Sequence, residues 1–258
     1  MIDSTIRRIG IAGDWHHNTD WAVKSLYALH KRGITSILHL GDFGIWPGLA
    51  GEEYINAVQK ALYDFNQTIY VTPGNHEDFS QIYSKKPDPV SGLIHFTDNI
   101  VILPRGYRWK WFNKTLVSLG GANSIDFSMR IQGKSWWKEE TISLNDVTNT
   151  VREGYADIML AHEAPFGAPV PIPSGISWDE EALNYAFESR NLMRTAIDGV
   201  KPRLFFHGHY HVYYDKTVDL VDSTSHTEYH TRFVGMDRDR NGNNIGILDL
   251  ADLQLEML

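Results

Sequence analysis

The chain has 258 residues, 42% of them hydrophobic and 22% charged, which is typical of one large or two small globular domains. Its formal net charge of -8 argues against a broad basic surface for long nucleic acid, although bound metal ions can attract phosphate locally. The sequence has no cysteine, which excludes disulfides, thiolate zinc sites, iron–sulfur clusters and cysteine nucleophiles.

Short apolar runs alternate with amphipathic ones through the first part of the chain. The periodicity predicts strands over 9–12, 34–40 and 68–72, and helices over 21–32 and 53–65. A β-α-β-α-β opening of this kind favours right-handed crossovers, with the helices packed outside the sheet.

The remaining chain is predicted to add more strands, two further helices and a loop. The helices are expected over 144–153 and 178–197, and the stretch rich in proline and glycine over 165–177 is expected to be a loop. Asn241-Gly242 predicts a hairpin turn in the tail. The additional strands are predicted over 100–103, 107–112, 116–119, 157–161 and 203–206.

The organisation predicted from these elements is a single domain over 1–258, because there is no repeat, low-complexity tract or linker. The long stretch around 77–155 leaves room for cap or insert elements over a site. The N-terminus lacks the apolar region of a signal peptide, and no apolar run approaches membrane-spanning length. We therefore expect a cytoplasmic protein without a membrane partner, and the oligomeric state stays open.

Polar side chains follow five of the predicted strands. The five blocks are Asp14-Trp15-His16, Gly41-Asp42, Gly74-Asn75-His76-Glu77, His162, and His207-Gly208-His209-Tyr210-His211. Ligand sites in α/β sheets form at the carboxyl ends of the strands. Oxygen and imidazole donors suit Mn, Fe, Zn or Ni better than calcium, and two such ions can clamp a phosphate between them. Locally extended backbone would point Asp14 and His16, or His209 and His211, the same way.

Taken in order, the blocks GDWH, GDFG, GNHE, AHE and GHYH resemble those of the calcineurin-like metallophosphoesterase superfamily, and they span positions 14 to 211. The resemblance implies an α/β fold of the metallophosphoesterase type, a four-layer α/β/β/α sandwich. It also implies two divalent transition metal ions, with manganese expected first and iron, zinc or nickel as alternatives. The implied reaction is attack of a metal-bridging hydroxide on the phosphorus of an ester.

The resemblance further implies a role for each matching residue. The expected metal ligands are Asp14, His16 and His211 for one ion, Asn75, His162 and His209 for the other, and Asp42 as the bridge between them. His76 is expected to lie beside the metals and either protonate the leaving group or stabilise the transition state.

Several residues near these blocks have two interpretations that the sequence leaves open. The segment 120–140 either lines the site, with Arg130 gripping a phosphate oxygen and its tryptophans walling the pocket, or is a structural loop. His17 is a second candidate for substrate contact. His39 is either a partner that orients Asp42 or a core histidine. Glu77 is expected to be an acid at a helix N-terminus.

Fold and metal ligands do not choose among the substrates of such a superfamily. Its protein serine/threonine phosphatases carry Arg-Gly shortly after the second block, whereas this chain reads GDFGIWPG, and the acidic balance argues against a processive DNA nuclease. We therefore expect a phosphodiesterase or a nucleotide-directed phosphatase acting on a small phosphate ester such as a nucleotide. The alternatives are a protein or small-molecule phosphomonoesterase, a nuclease, and a non-catalytic metal-bound scaffold.

Overall fold

The structure is a computed structural model that describes residues 2–171 and 178–258. Within these ranges the α-helices are α1 (Thr19–Lys31), α2 (Gly48–Asp64), α3 (Phe79–Ser84), α4 (Leu144–Val151) and α5 (Glu180–Val200). The strands are β1 (Ile2–Asp3), β2 (Arg8–Ala12), β3 (Ser36–His39), β4 (Thr68–Val71), β5 (Ile94–His95), β6 (Ile100–Ile102), β7 (Tyr107–Trp111), β8 (Lys114–Leu119), β9 (Ile158–Ala161), β10 (Leu204–His207), β11 (Tyr214–Val221), β12 (Glu228–Gly235), β13 (Ile245–Asp249) and β14 (Gln254–Met257).

The strands form two sheets of seven. Sheet I has the order β14-β13-β2-β3-β4-β6-β5, and sheet II has the order β1-β7-β8-β9-β10-β12-β11. The centres of both sheets are parallel, from β2 through β6 in sheet I and from β8 through β12 in sheet II. Parallel strands direct their carboxyl ends to the same edge, and this arrangement prepares a site there.

The two sheets pack face to face through alternate residues of their central strands. Ile9 and Ile11 of β2 lie in one buried cluster with Leu160 of β9 and Phe206 of β10. Each such side chain contributes about 1.5–3 kcal/mol by leaving water. The neighbouring residues on the same strands, such as Phe205, face the opposite way, which explains why these strands are apolar throughout.

Helices cover the two outer faces. Leu26 of α1 and Val58 of α2 pack with Ile37 on sheet I, while Met193 and Ile197 of α5 pack on sheet II. The order of layers is therefore helices, sheet I, sheet II, helices. This confirms the predicted four-layer α/β/β/α sandwich. None of the helices in the described ranges combines the length and apolar character needed to cross a membrane.

Some boundaries differ from the predictions. Helix α2 begins at Gly48 rather than at residue 53, directly after the extended Pro47. The hairpin predicted at Asn241-Gly242 is wrong, because β12 belongs to sheet II and β13 pairs with β2 in sheet I. That turn therefore joins two layers. The predicted loop over 165–177 lies partly outside the described residues, at 172–177.

The stretch 77–155, where cap or insert elements were predicted, mostly builds the layers themselves. It contains strands β5 to β8, which belong to the two sheets, and helix α4, which packs with α5 on sheet II. The segment 120–140, which follows β8, is the part of this stretch that contacts the predicted site.

Candidate metal centre

The carboxyl ends of the central strands of both sheets supply the predicted ligands. Sheet I delivers Asp14 after β2, Asp42 after β3 and Asn75 after β4. Sheet II delivers His162 directly after β9 and the run from His207 to His211 at the end of β10. The predicted residues are thus contributed by loops from two different layers, which meet at one edge of the sandwich.

Four of these side chains form what we call the outer cluster, which consists of Asp14, His16, Asp42 and His211. One donor atom from each lies within 4.8 Å of the others. His16 Nε2 is 3.3 Å from Asp42 Oδ2, and His211 Nε2 is 3.3 Å from Asp14 Oδ2. The carboxylates are buried, while the His16 and His211 side chains are 20% and 36% exposed. Mixed oxygen and imidazole donors of this kind suit a divalent transition metal.

What we call the inner cluster consists of Asn75 and His162 together with Asp42, which it shares with the outer cluster. The Nδ1–H of His162 donates to the Leu40 carbonyl at 2.7 Å, so in the neutral ring Nε2 carries no proton and has a lone pair to offer. That nitrogen lies 2.9 Å from Asn75 Oδ1 and 3.4 Å from Asp42 Oδ1. Three acceptor atoms therefore converge in a buried space, which requires a cation, either a proton on the ring or a metal ion.

His209 lies next to the inner cluster, with its ring against that of His162. Its backbone N–H donates to Asp14 Oδ2 at 2.9 Å, and its ring centroid lies 5.0 Å from that of His162. Burial lowers the pKa of His209 well below its usual range, so the ring is neutral and keeps a lone pair. Its assignment as a ligand stays a prediction.

Two buried carboxylates make the centre strongly negative. Burial opposes protonation of His16 and His162, but the nearby charge and hydrogen bonding of Asp42 outweigh burial and raise their pKa values to about 9 and about 10. Asp14 Oδ1 is buried and receives no hydrogen bond from the described residues. These residues fit a pair of metal ions, because bound cations would neutralise the same charges and occupy the open acceptor positions.

The backbone that presents the ligands is left-handed at several positions. The φ angles are 44° at His16, 50° at Asp42, 70° at His209 and 53° at His211. The predicted extended geometry is therefore wrong, since tight turns rather than strands aim these side chains inward. Non-glycine residues rarely adopt this conformation, and its concentration here is typical of a functional site.

Glycines allow the loops to close around the carboxylates. A Cβ on Gly74 would lie 2.2 Å from Asp42 Oδ1, and a Cβ on Gly208 would lie 2.1 Å from Asp14 Oδ1. Both distances are far below van der Waals contact. Only glycine at these positions permits the backbone to approach these two carboxylates so closely.

His76 lies beside the outer cluster and contacts Arg130. The Arg130 guanidinium places Nη1 2.8 Å from His76 Nδ1 and Nη2 2.8 Å from Nε2. Asp126 holds the guanidinium through Nε at 2.7 Å and Nη2 at 2.9 Å. A guanidinium only donates hydrogen bonds, so a ring nitrogen that accepts one carries no proton. Burial lowers the pKa of His76, and Arg130 adds to this against the opposing charge of Asp42.

A cleft of about 410 Å³ opens next to His76. Its walls include Trp46, Pro47, Asp126, Arg130, Lys134 and Trp137. A volume of this size accommodates a small organic molecule rather than a folded partner.

His17 supports one wall of this cleft. Its ring stacks on Trp46, with centroids 4.7 Å apart and planes 2° from parallel, and its Nε2–H donates to the Ala50 carbonyl at 2.7 Å. The Nε2 of His17 is therefore committed to the protein. The structure brings His17 to the cleft through Trp46, which the sequence analysis did not single out.

Three buried residues have roles that the sequence analysis did not establish. Glu77 is not a helix N-terminal acid; its carboxylate accepts the N–H groups of residues 43–45 and so fixes the turn after Asp42. His39 packs between Trp15 and Phe43, which favours the core interpretation.

The third such residue is Asn244, which lies near the other end of the sequence and supports the loop that carries Asp14. Its Oδ1 accepts the indole N–H groups of Trp15 and Trp21, and its Nδ2 donates to the Asp14 carbonyl at 3.2 Å. No local motif marks this residue, because these three partners lie more than 200 positions away in the sequence.

Comparisons with known proteins agree with this geometry. A sequence profile of a family described as calcineurin-like phosphoesterase matches residues 7–213. No curated protein matches the chain. The crystal structure of TT1561 of Thermus thermophilus is similar over 98% of both chains, with 12% identity and a TM-score of 0.54. A dimetal phosphatase from Danio rerio is similar over 95% of this chain and 93% of its own, with 11% identity and a TM-score of 0.53. At these identities the likeness shows the fold.

Proposed function

The chain belongs to the calcineurin-like phosphoesterase family, and we propose that it is a two-metal hydrolase of small phosphate esters, either a phosphodiesterase or a nucleotide-directed phosphatase. The observation that carries this proposal is the pair of donor clusters sharing Asp42, next to a cleft sized for one small molecule. The outer cluster would hold one ion, and the inner cluster with His209 would hold the other.

Two bound ions, manganese in the first instance, would supply positive charge for the phosphate oxygens and an activated water for attack. The residues of the chain prepare this chemistry. Asp42 offers Oδ2 towards the outer cluster and Oδ1 towards the inner one, which supports its role as the shared ligand. The backbone N–H of His76 donates to Asp42 Oδ1 at 2.9 Å and helps to hold that carboxylate in place.

His76 would act on the transition state rather than as a proton donor. Its contact with Arg130 favours a neutral ring, because the guanidinium cannot accept a hydrogen bond. Together the two side chains would place hydrogen-bond donors where charge develops on the ester. Asp126 sets the guanidinium for this purpose by its paired contacts with Nε and Nη2.

The cleft beyond His76 would receive the part of the substrate that is not attacked. Trp46 offers an aromatic wall, 37% exposed, which His17 supports from behind, and Lys134 offers a positive charge. An aromatic surface with a nearby cation suits a nucleoside phosphate. This substrate class agrees with the small volume and disfavours a protein substrate.

The test compares hydrolysis of bis-p-nitrophenyl phosphate with that of p-nitrophenyl phosphate by metal-stripped protein reloaded with manganese. Faster metal-dependent cleavage of the diester supports the phosphodiesterase assignment, and preference for the monoester supports the phosphatase. The Asp42→Asn variant serves as the negative control. If fully loaded protein cleaves neither ester nor any nucleoside phosphate, the proposed function is wrong and a non-catalytic scaffold takes its place.

A further inference from the structure

A buried hydrogen-bond chain links the segment 120–140 to the inner cluster. Asn75 Nδ2 donates to Ser124 Oγ at 2.8 Å, and Ser124 Oγ donates to Glu140 Oε2 at 2.6 Å. The Ser124 backbone N–H and the Tyr185 hydroxyl donate to the other carboxylate oxygen at 2.8 and 3.1 Å. Asn75, Ser124 and Glu140 are 2%, 1% and 0% exposed, so water does not compete for these contacts.

The direction of this chain fixes which atom Asn75 presents to the cluster. An amide has one oxygen and one nitrogen of similar size, and only the oxygen can ligate a metal. The Glu140 carboxylate accepts the proton of the Ser124 hydroxyl, which leaves the hydroxyl oxygen to accept from the Asn75 amide nitrogen. The amide oxygen then faces His162 Nε2, which itself lies 3.4 Å from Asp42 Oδ1.

Arg105 ties both ends of the segment so that this geometry is held. Its Nε donates to the Gly120 carbonyl at 2.9 Å, and Nη2 donates to the Glu140 carbonyl at 2.9 Å. Nη1 donates to the Thr141 carbonyl at 2.7 Å. One arginine thus holds the two ends of the segment 120–140 together and keeps Ser124 and Glu140 beside Asn75.

We propose that Ser124 and Glu140 are positioning residues that orient the Asn75 amide oxygen towards the inner metal, an inference that rests on the ligand assignments of the proposed function. The segment 120–140 thereby gains a role that its sequence left open. Substitution of a residue that hydrogen-bonds to a metal ligand typically lowers metal affinity or activity by about 10- to 100-fold. Loss of the hydrogen bonds from Asn75 to Ser124 and from Ser124 to Glu140 should weaken metal binding at the inner cluster. The outer cluster, which does not contain Asn75, should be spared.

The test is a calorimetric manganese titration of the full-length metal-stripped chain and its Ser124→Ala variant. We expect two ions to bind the unaltered protein, and in the variant one of the two to bind about 10- to 100-fold more weakly. Glu140→Gln should weaken the same site, because it replaces a carboxylate oxygen by a group that donates. Ser128→Ala, an exposed serine in the same segment, is the matched control and should leave both affinities unchanged.

The outcomes separate this inference from the proposed function. Two unchanged manganese affinities in both Ser124→Ala and Glu140→Gln would overturn the positioning role, and so would an equal loss at both sites. Thermal unfolding of the metal-free variants shows whether either has lost its fold, in which case the other variant decides. Two-ion binding without ester hydrolysis by the unaltered protein would overturn the proposed function alone, whereas a single bound ion would overturn both.

Discussion

The outer and inner clusters differ in how their ligands are held. In the outer cluster, His16 and His211 are partly exposed and project from left-handed turns within short motifs. In the inner cluster, His162 and Asn75 are buried, and each uses its remaining polar atom on a distant partner, the Leu40 carbonyl or Ser124. Buried ligands cannot borrow hydrogen bonds from water, so the fold must supply them.

The two clusters therefore differ in solvent access and in how firmly the fold holds their side chains. The inner cluster is closed to solvent, and hydrogen bonds to the Leu40 carbonyl and Ser124 fix its side chains. The outer cluster borders His76, and its two histidines are partly exposed to solvent. The carboxylate of Asp42 belongs to both, so it is the residue whose change should affect the two clusters together.

The largest effect is expected for Asp42→Asn, which removes the charge shared by the clusters. If the nitrogen of the new amide took the place of Oδ1, it would face the backbone N–H of His76, where an acceptor is needed. We expect kcat to fall by at least about 100-fold and metal content to fall below two ions per chain. The measurements are steady-state kinetics and elemental analysis, with Asp64→Asn on the surface as control. Near-normal turnover would contradict a shared ligand.

The next effect separates the clusters by accessibility. His162→Ala and His211→Ala each remove one imidazole, but the first leaves a buried gap and the second a partly exposed one. We expect both variants to lose activity, and added imidazole to restore the His211 variant much more than the His162 variant. Equal rescue of the two would show that the inner cluster is not closed.

Removal of metal should lower thermal stability, because Asp14 and Asp42 are buried carboxylates close together and Asp14 Oδ1 receives no hydrogen bond from the described residues. An ion present at 100 times its dissociation constant stabilises the folded state by about 2.7 kcal/mol. That corresponds to a fall in Tm on the order of 5–10 °C per site on chelation. Calorimetry with and without chelator measures it, and Asp42→Asn should show a smaller fall. An unchanged Tm in the unaltered chain would count against occupied sites.

The smallest effect is expected for Arg130→Ala, which changes the wall of the cleft and leaves the clusters intact. Loss of one charged hydrogen-bonding group costs about 1.5–3 kcal/mol, so kcat/KM for a phosphate ester should fall at least about tenfold. Arg130→Lys keeps the charge without the planar fork and should recover only part of the loss. Unaltered kcat/KM in Arg130→Ala would show that the contact of Arg130 with Asp126 is purely structural.

The sequence by itself determined the fold class and the candidate ligands. Each block is local, a run of apolar residues followed by a turn that carries Asp, Asn or His, so the sequence singled out Asp14, Asp42 and Asn75, and the resemblance implied their roles as ligands. The four-layer sandwich was implied by the resemblance of these blocks to a known superfamily, and the alternation of predicted strands and helices agreed with it.

Only the tertiary structure decided how those ligands are supported. The contact of Asn244 with Asp14, and that of Arg130 with His76, join residues far apart in sequence and leave no periodic or local signal. The left-handed turns at His16 and His211 were missed because residue type predicts such backbone only weakly outside glycine. Ligand identity depends on short-range chemistry, whereas ligand orientation depends on which distant polar groups burial forces together.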